Sequence, residues 1–97
     1  MVMFEELDPL LHSQLRLAIM SVLISVEMAE FNHLLEKTGA TRGNLSVQIT
    51  KLSDAGYIKV DKAFRKNYPL TTCHITPLGI EAFEKYVNAL KGYLDRG

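Results

Sequence analysis

Between residues 10 and 24 apolar side chains recur on two sides of a helical spiral. Leu11, Leu15, Ala18, Ile19 and Val22 make one stripe, and Leu10, Leu17, Met20 and Ile24 lie roughly half a turn away. Asp8-Pro9 reads as the start, since Asp caps free N–H groups and Pro suits the first helical position. The pattern therefore predicts a helix from there to about Ser25. A helix apolar on both sides is buried on both sides. In a chain of 97 residues it is either a central core helix or one shared with a second subunit.

A second helix is predicted from about Ala29 to Lys37, with Phe31, Leu34 and Leu35 inward. Thr38-Gly39 closes it, Gly accepting the left-handed conformation of a helix end. Thr41 is a good N-cap for a third helix, in which Leu45, Ile49 and Leu52 share the inward face. Two helices joined by so short a Gly-containing turn have helix-turn-helix geometry. After Asp54-Ala55-Gly56, "YIKVDKAF" alternates as a half-buried strand, "RKNYPL" reads as a hairpin tip and "TTCHIT" as the returning strand. Thr76-Pro77 starts a last helix with the stripe Ile80, Phe83, Val87, Leu90 and Leu94, widened by Tyr86 and Tyr93. No repeat, linker or low-complexity tract interrupts residues 1–97, so they read as one domain, α+β and mostly helical.

Composition adds little until charge is placed along the chain. The net charge is zero, but residues 1–36 carry six acids and the single base Arg16. Residues 37–67 carry seven bases against Asp54 and Asp61. Positive charge gathered in one contiguous third makes an electrostatic face, for which a polyanion is the usual partner. The acidic start "MVMFEELD" is unlike a signal peptide, and the apolar run near residues 17–26 is too short to span a bilayer. A cytoplasmic protein away from the membrane is expected. One Cys makes no intrachain disulfide and no Cys pair for a metal.

The element order, with "LDPLLHSQLRLAIMSVL", "TRGNLSVQITKLSDAGYIKV" and "LTTCHITPLGIEAF", resembles the small winged helix-turn-helix transcriptional regulators related to the MarR and ArsR families. The resemblance covers nearly the whole chain. It implies three helices, a two-stranded basic wing and a C-terminal helix. It also implies a homodimer on pseudo-palindromic double-stranded DNA, paired through the terminal helices. The chain departs from many relatives in its modest wing, "FRKNYPL", and in Val47 and Gln48, where His is common at one or the other position.

The third helix shows the chemistry such binding needs. Its outward face is uncharged and hydrogen-bonding, edged by Arg42 and Lys51, with no acid before Asp54. Asn44, Ser46 and Gln48 offer donors and acceptors for base edges, and Val47 suits a thymine methyl. Thr41 can add a hydroxyl, Arg42 can reach guanine or phosphate, Gly43 admits close approach, and Lys51 suits a phosphate. In the wing, Lys62, Arg65 and Lys66 would meet the backbone or the minor groove. The expected dimer face comprises Leu10, Leu17, Met20, Ile24, Tyr86, Leu90, Tyr93 and Leu94. A small-molecule effector could occupy the crevice between subunits, against Tyr86 and Tyr93.

A second reading is a winged-helix module for protein partners, but such a surface needs exposed aromatic or Leu/Met anchors on the third helix, which shows none. An enzyme is disfavoured: no Ser/His/Asp set, paired acids or Gly-rich phosphate loop is present. His12, His33 and His74 sit on three elements at no metal-ligand spacing, and Cys73 faces inward on its strand, so no metal or cofactor is expected.

Overall fold

The computed structural model describes residues 4–95. The elements run α1 (Gln14–Val26), β1 (Met28–Glu30), α2 (Phe31–Thr38), α3 (Arg42–Asp54), β2 (Ile58–Arg65), β3 (Tyr68–Ile75) and α4 (Pro77–Leu94). The strands form one antiparallel sheet in the order β1-β3-β2. The winged helix arrangement read from the sequence is present, with three corrections of detail.

Asp8-Pro9 opens a turn rather than α1. The Asp8 carboxylate accepts from the Leu10 N–H at 2.9 Å and its carbonyl from the His12 N–H at 2.8 Å. The chain then extends through Ser13, and α1 begins after it. That break drops Leu11 into the core, where it is fully buried. The inward line of α1 is Ile19, Met20 and Leu23, along the seam between the two predicted stripes.

The second correction is β1. The start of the predicted second helix is a short strand, pairing Met28 with His74, Ala29 with Cys73 and Glu30 with Thr72. Glu27, at φ 70, makes the sharp exit from α1, and its carbonyl accepts from the Ile75 N–H at 3.0 Å. Three residues of β1 thus cover one edge of β3 where the core needs it.

The third is the hairpin. Its tip is only Lys66-Asn67, both at positive φ, and the strands pair up to Arg65 opposite Tyr68. Two left-handed residues give the tight turn whose twist suits a hairpin. Pro69 lies within β3, opposite Phe64. Bonded and non-bonded pairs alternate from the turn, so its nitrogen faces away from β2 and no ladder bond is lost.

The core gathers Ile19, Met20 and Leu23 with Leu34 of α2, Leu45, Ile49 and Leu52 of α3, Ile58 and Cys73 of the sheet, and Tyr86 of α4. Thr76 joins α4 to this body. Its N–H donates to the Tyr57 carbonyl at 3.1 Å, its hydroxyl to the Gly56 carbonyl at 2.6 Å, and the Gly79 N–H returns to that hydroxyl at 3.0 Å. The molecule is elongated, with a radius of gyration of 14.8 Å, against about 12.5 Å for a compact domain of this length. Among the described residues no helix is long and apolar enough to cross a membrane.

Candidate nucleic-acid interface

The geometry of α3 is set at its start. Gly39, left-handed at φ 70, ends α2, and its N–H donates to the Leu35 carbonyl at 3.0 Å. Two residues later the Thr41 hydroxyl accepts from the Asn44 N–H at 3.2 Å and opens α3. Leu45, Ile49 and Leu52 anchor one side in the core. Thr41, Arg42, Gly43, Asn44, Ser46, Val47, Thr50 and Lys51 are consequently exposed. A Cβ placed on Gly43 would meet nothing within 4 Å, so space inside the chain is not why glycine stands there.

Two of the candidate base readers are already engaged. Arg16 of α1 donates from Nη1 to the Gln48 Oε1 at 2.5 Å and from Nε to the Leu10 carbonyl at 2.6 Å. Gln48, half-buried, passes its amide N–H to the Asn44 Oδ1 at 3.0 Å. Both ends of the Gln48 amide therefore have partners. Gln48 thereby braces the exposed Asn44. Arg42 leans back onto α2, donating to the Asn32 Oδ1 at 3.2 Å with its guanidinium 5.8 Å from the Phe31 ring centre. Arg16 and Asn32 did not emerge from the sequence pattern. The signal for Arg16 was its isolation, the single base among the first 36 residues.

The wing divides its bases between two faces. Opposed residues share a face, so Val60, Lys62 and Phe64 lie with Cys73, Thr71 and Pro69 on one side of the hairpin. Val60, Lys62 and Thr71 line a shallow groove with Ser46, Thr50 and Asp54 of α3, which brings Lys62 beside the helix. Arg65 is on the other face, 3.9 Å from Glu30, with both side chains largely in solvent. Such a pair is worth at most about 1 kcal/mol and is easily exchanged for a phosphate. Lys66 is exposed in the turn.

The expected dimer face is redistributed. Met20 and Tyr86 are core residues of the single chain, because α1 and α4 turn them inward. Leu10, Leu17, Ile24 and Leu90 are half-buried, while Tyr93 and Leu94 are exposed. Tyr93 packs on Phe4 with ring centres 5.1 Å apart, and its hydroxyl donates to the Glu5 carbonyl at 2.7 Å.

Tyr93 is thus tied to the N-terminal segment within the single chain, and Tyr86 belongs to another surface. Tyr86, hydrogen-bonded to His12 at 2.9 Å, instead lines a cleft of about 380 Å³ with Asp8, Tyr57, Leu78, Glu81 and Lys85. There the Tyr57 hydroxyl donates to Asp8 at 2.5 Å. Burial first, and then the hydrogen bond and charge of Asp8, push its phenol up to about 12. Cys73 is fully buried, and burial raises its thiol to about 11, which keeps it protonated and inert at neutral pH. Among the described residues no group of three or more His, Cys, Asp or Glu could hold a metal ion.

The helix-turn-helix, the acid-free face of α3 and the two-stranded wing stand together with known proteins. The sequence model of the winged helix DNA-binding domain family matches residues 15–94. The chain belongs to that family. A winged helix domain is a DNA-binding module and not an enzyme. In it α2 and α3 form the helix-turn-helix and β2–β3 the wing.

An uncharacterised protein of Methanocaldococcus jannaschii is 36% identical over 76 residues, 78% of this chain and 83% of its own length. A transcriptional regulator homologue from Pyrococcus horikoshii superposes with a TM-score of 0.83 at 30% identity, over 89% of this winged helix chain and 85% of that one. A MarR-family transcriptional regulator from Silicibacter pomeroyi shares the fold at a TM-score of 0.69 and 15% identity, over 90% of this chain and 57% of its own. The fold expected from the sequence is thus shared with a MarR-family regulator.

Proposed function

We propose that the chain is a homodimeric, sequence-specific regulator of transcription that lays α3 in the major groove of a pseudo-palindromic operator, with repression by promoter occlusion as its output. The observation that carries this reading is the outward face of α3. It runs from Thr41 through Lys51 without an acid, exposes Asn44, Ser46 and Val47 together, and has Lys62 of the wing beside it. A face of that kind matches base edges flanked by phosphates. Arg42 and Arg65, each held by a weak exposed contact, can turn to the backbone on binding.

Apolar side chains left at the surface of the terminal helices and of the turn before α1 support the second subunit: Leu10, Leu17, Ile24 and Leu90 are half-buried, and Tyr93 and Leu94 are exposed. The cleft between Asp8, Tyr57 and Tyr86 is the place for an effector, because it joins the segment before α1 to the turn after α3 and to α4.

Selection from a random duplex pool at near-physiological salt tests the proposal. Enrichment of a two-fold motif with half-sites one helical turn apart, roughly 34 Å, is expected. Binding with no enriched motif would overturn sequence-specific recognition and return weight to a protein partner.

A further inference from the structure

The wing ends in two aromatic rings that the fold does not use. Phe64 is 79% exposed and Tyr68 76% exposed, the largest values among the exposed large apolar side chains. They cannot shelter each other: Phe64 opposes Pro69 on one face of the hairpin, and Tyr68 opposes Arg65 on the other. Neither ring has an aromatic or cation partner among the described contacts. Phe64 shares its face with Lys62, which borders the α3 groove, and stands two residues further out, about 7 Å at the rise of a strand. Arg65 and Lys66 follow it directly, and no acid occurs from Lys62 to Ile80.

An apolar ring at the end of a narrow hairpin, flanked by cations and with Glu30 reaching only Arg65 on the other face, suits a polyanion that also offers apolar surface. Duplex DNA offers that at its base steps. Resting on the reading of the chain as a DNA-binding regulator, we propose that Phe64 is a wedge. It enters the minor groove beside the operator half-site and opens one base step, while Arg65 and Lys66 hold the flanking phosphates. The two-residue Lys66-Asn67 turn, with both residues left-handed, keeps the tip narrow enough to enter. Apolar wedges of this kind unstack a step and kink the duplex. Tyr68, on the opposite face, directs its hydroxyl toward the sugar-phosphate edge. Flexible steps such as TA and CA should therefore be favoured where the wing meets the DNA.

The test uses the full chain and a duplex taken from the random-pool selection, with 2-aminopurine placed in turn at each step flanking the half-site. The wild-type protein should brighten one position per half-site as that step opens. Phe64→Ala should leave that position dark and weaken binding about tenfold, with an unchanged salt slope because no charge is lost. Phe64→Leu, still apolar, should keep part of both effects. Lys66→Ala should instead flatten the salt slope by about 0.9 per subunit. Phe64→Ala with wild-type affinity and wild-type fluorescence would overturn the wedge while leaving DNA binding intact, and would assign the ring to a protein partner. A wild-type chain that binds no duplex would overturn the DNA-binding reading and the wedge with it. Phe64 is so exposed that its removal should leave the thermal melt unmoved, which separates loss of the wedge from loss of the fold.

Discussion

Arg16 on α1 and Gln48 on α3 are joined by a hydrogen bond of 2.5 Å, and Gln48 hands the constraint on to Asn44 at 3.0 Å. The helix proposed for the major groove is therefore braced by a side chain on another element. Removing the brace should free Asn44 to sample rotamers that do not match a base edge. Arg16→Met, which keeps the apolar stem, should cost about 1–2 kcal/mol of stability. It should lower affinity for the selected operator more than affinity for random duplex. The salt slope separates bracing from direct contact: a phosphate ligand would take about 0.9 per subunit with it, and a brace would take none. An unchanged ratio of specific to random affinity would show that Arg16 does not position the reader.

Gly43 gives a cleaner separation of fold from function. Nothing lies within 4 Å of the Cβ that alanine would add, and the residue sits in the first turn of α3 without a positive φ. Alanine is the better helix former by about 1 kcal/mol. Gly43→Ala should therefore raise the melting temperature, by roughly 4–8 °C if the full amount is realised. If glycine is there for close approach of the backbone to DNA, the same variant should bind the operator at least about tenfold more weakly. A stabilised variant with undiminished binding would remove Gly43 from the interface.

Gly79 is the opposite case. A Cβ there would sit 2.1 Å from the Tyr57 carbonyl oxygen, a backbone atom that also accepts from the Thr76 N–H. Neither side can yield without moving the joint between the end of α3 and the start of α4. Gly79→Ala should lose at least about 2–3 kcal/mol in urea unfolding. Thr76→Val, which removes the hydroxyl cap and keeps the shape, should lose about 1 kcal/mol. A wild-type midpoint for Gly79→Ala would mean that α4 is not seated as described.

These residues show what the sequence could and could not disclose. Helix-turn-helix geometry was legible because local chemistry dictates it: Gly39 ends one helix and Thr41 caps the next, whatever surrounds them. The start of α1 was not, because Asp8-Pro9 satisfies its own turn and the burial of Leu11 then outweighs another helical turn. β1 escaped notice because three residues are too few to show alternation, and only β3 makes them a strand. For the candidate site, the outward face of α3 followed from periodicity. The engagement of Gln48 by Arg16 did not, since they are 32 residues apart. Phe64 and Tyr68 were hidden for another reason. They fit the alternation of their strands, which run beyond the core that would have covered them.

The half-buried Tyr57 and the buried Cys73 both make the fold sensitive to alkaline pH. The Tyr57 phenol rises from 10.0 to about 12 and the Cys73 thiol from 9.0 to about 11. In both the folded state holds the proton more tightly than the unfolded chain. Their contribution to stability is thus complete below the unfolded values and is lost as pH climbs toward the folded ones. Unfolding free energy should fall from about pH 9 upward, first through Cys73 and then through Tyr57 between 10 and 12. Tyr57→Phe should flatten the second part while costing stability at neutral pH, because Asp8 loses its donor. Equal slopes for the variant and the wild type above pH 10 would show that Tyr57 is not held as its contact with Asp8 implies.

Dimerisation is tested most sharply at Leu94, which is 71% exposed in the single chain at the end of α4, next to the Tyr93 that packs on Phe4. A charge there has water around it in the monomer, so Leu94→Asp should melt as an isolated chain does. In a dimer paired through α1 and α4 the same carboxylate would be buried without a partner, at a cost of several kcal/mol. Sedimentation should show wild-type dimers and variant monomers at micromolar concentration. DNA binding carries the second signature. A dimer that uses three or four bases per subunit should show a salt slope of about −5 to −7, and the monomer on a half-site about half that. A variant that stays dimeric with the full slope would move the interface away from the end of α4, toward the half-buried side of α1 at Leu10, Leu17 and Ile24.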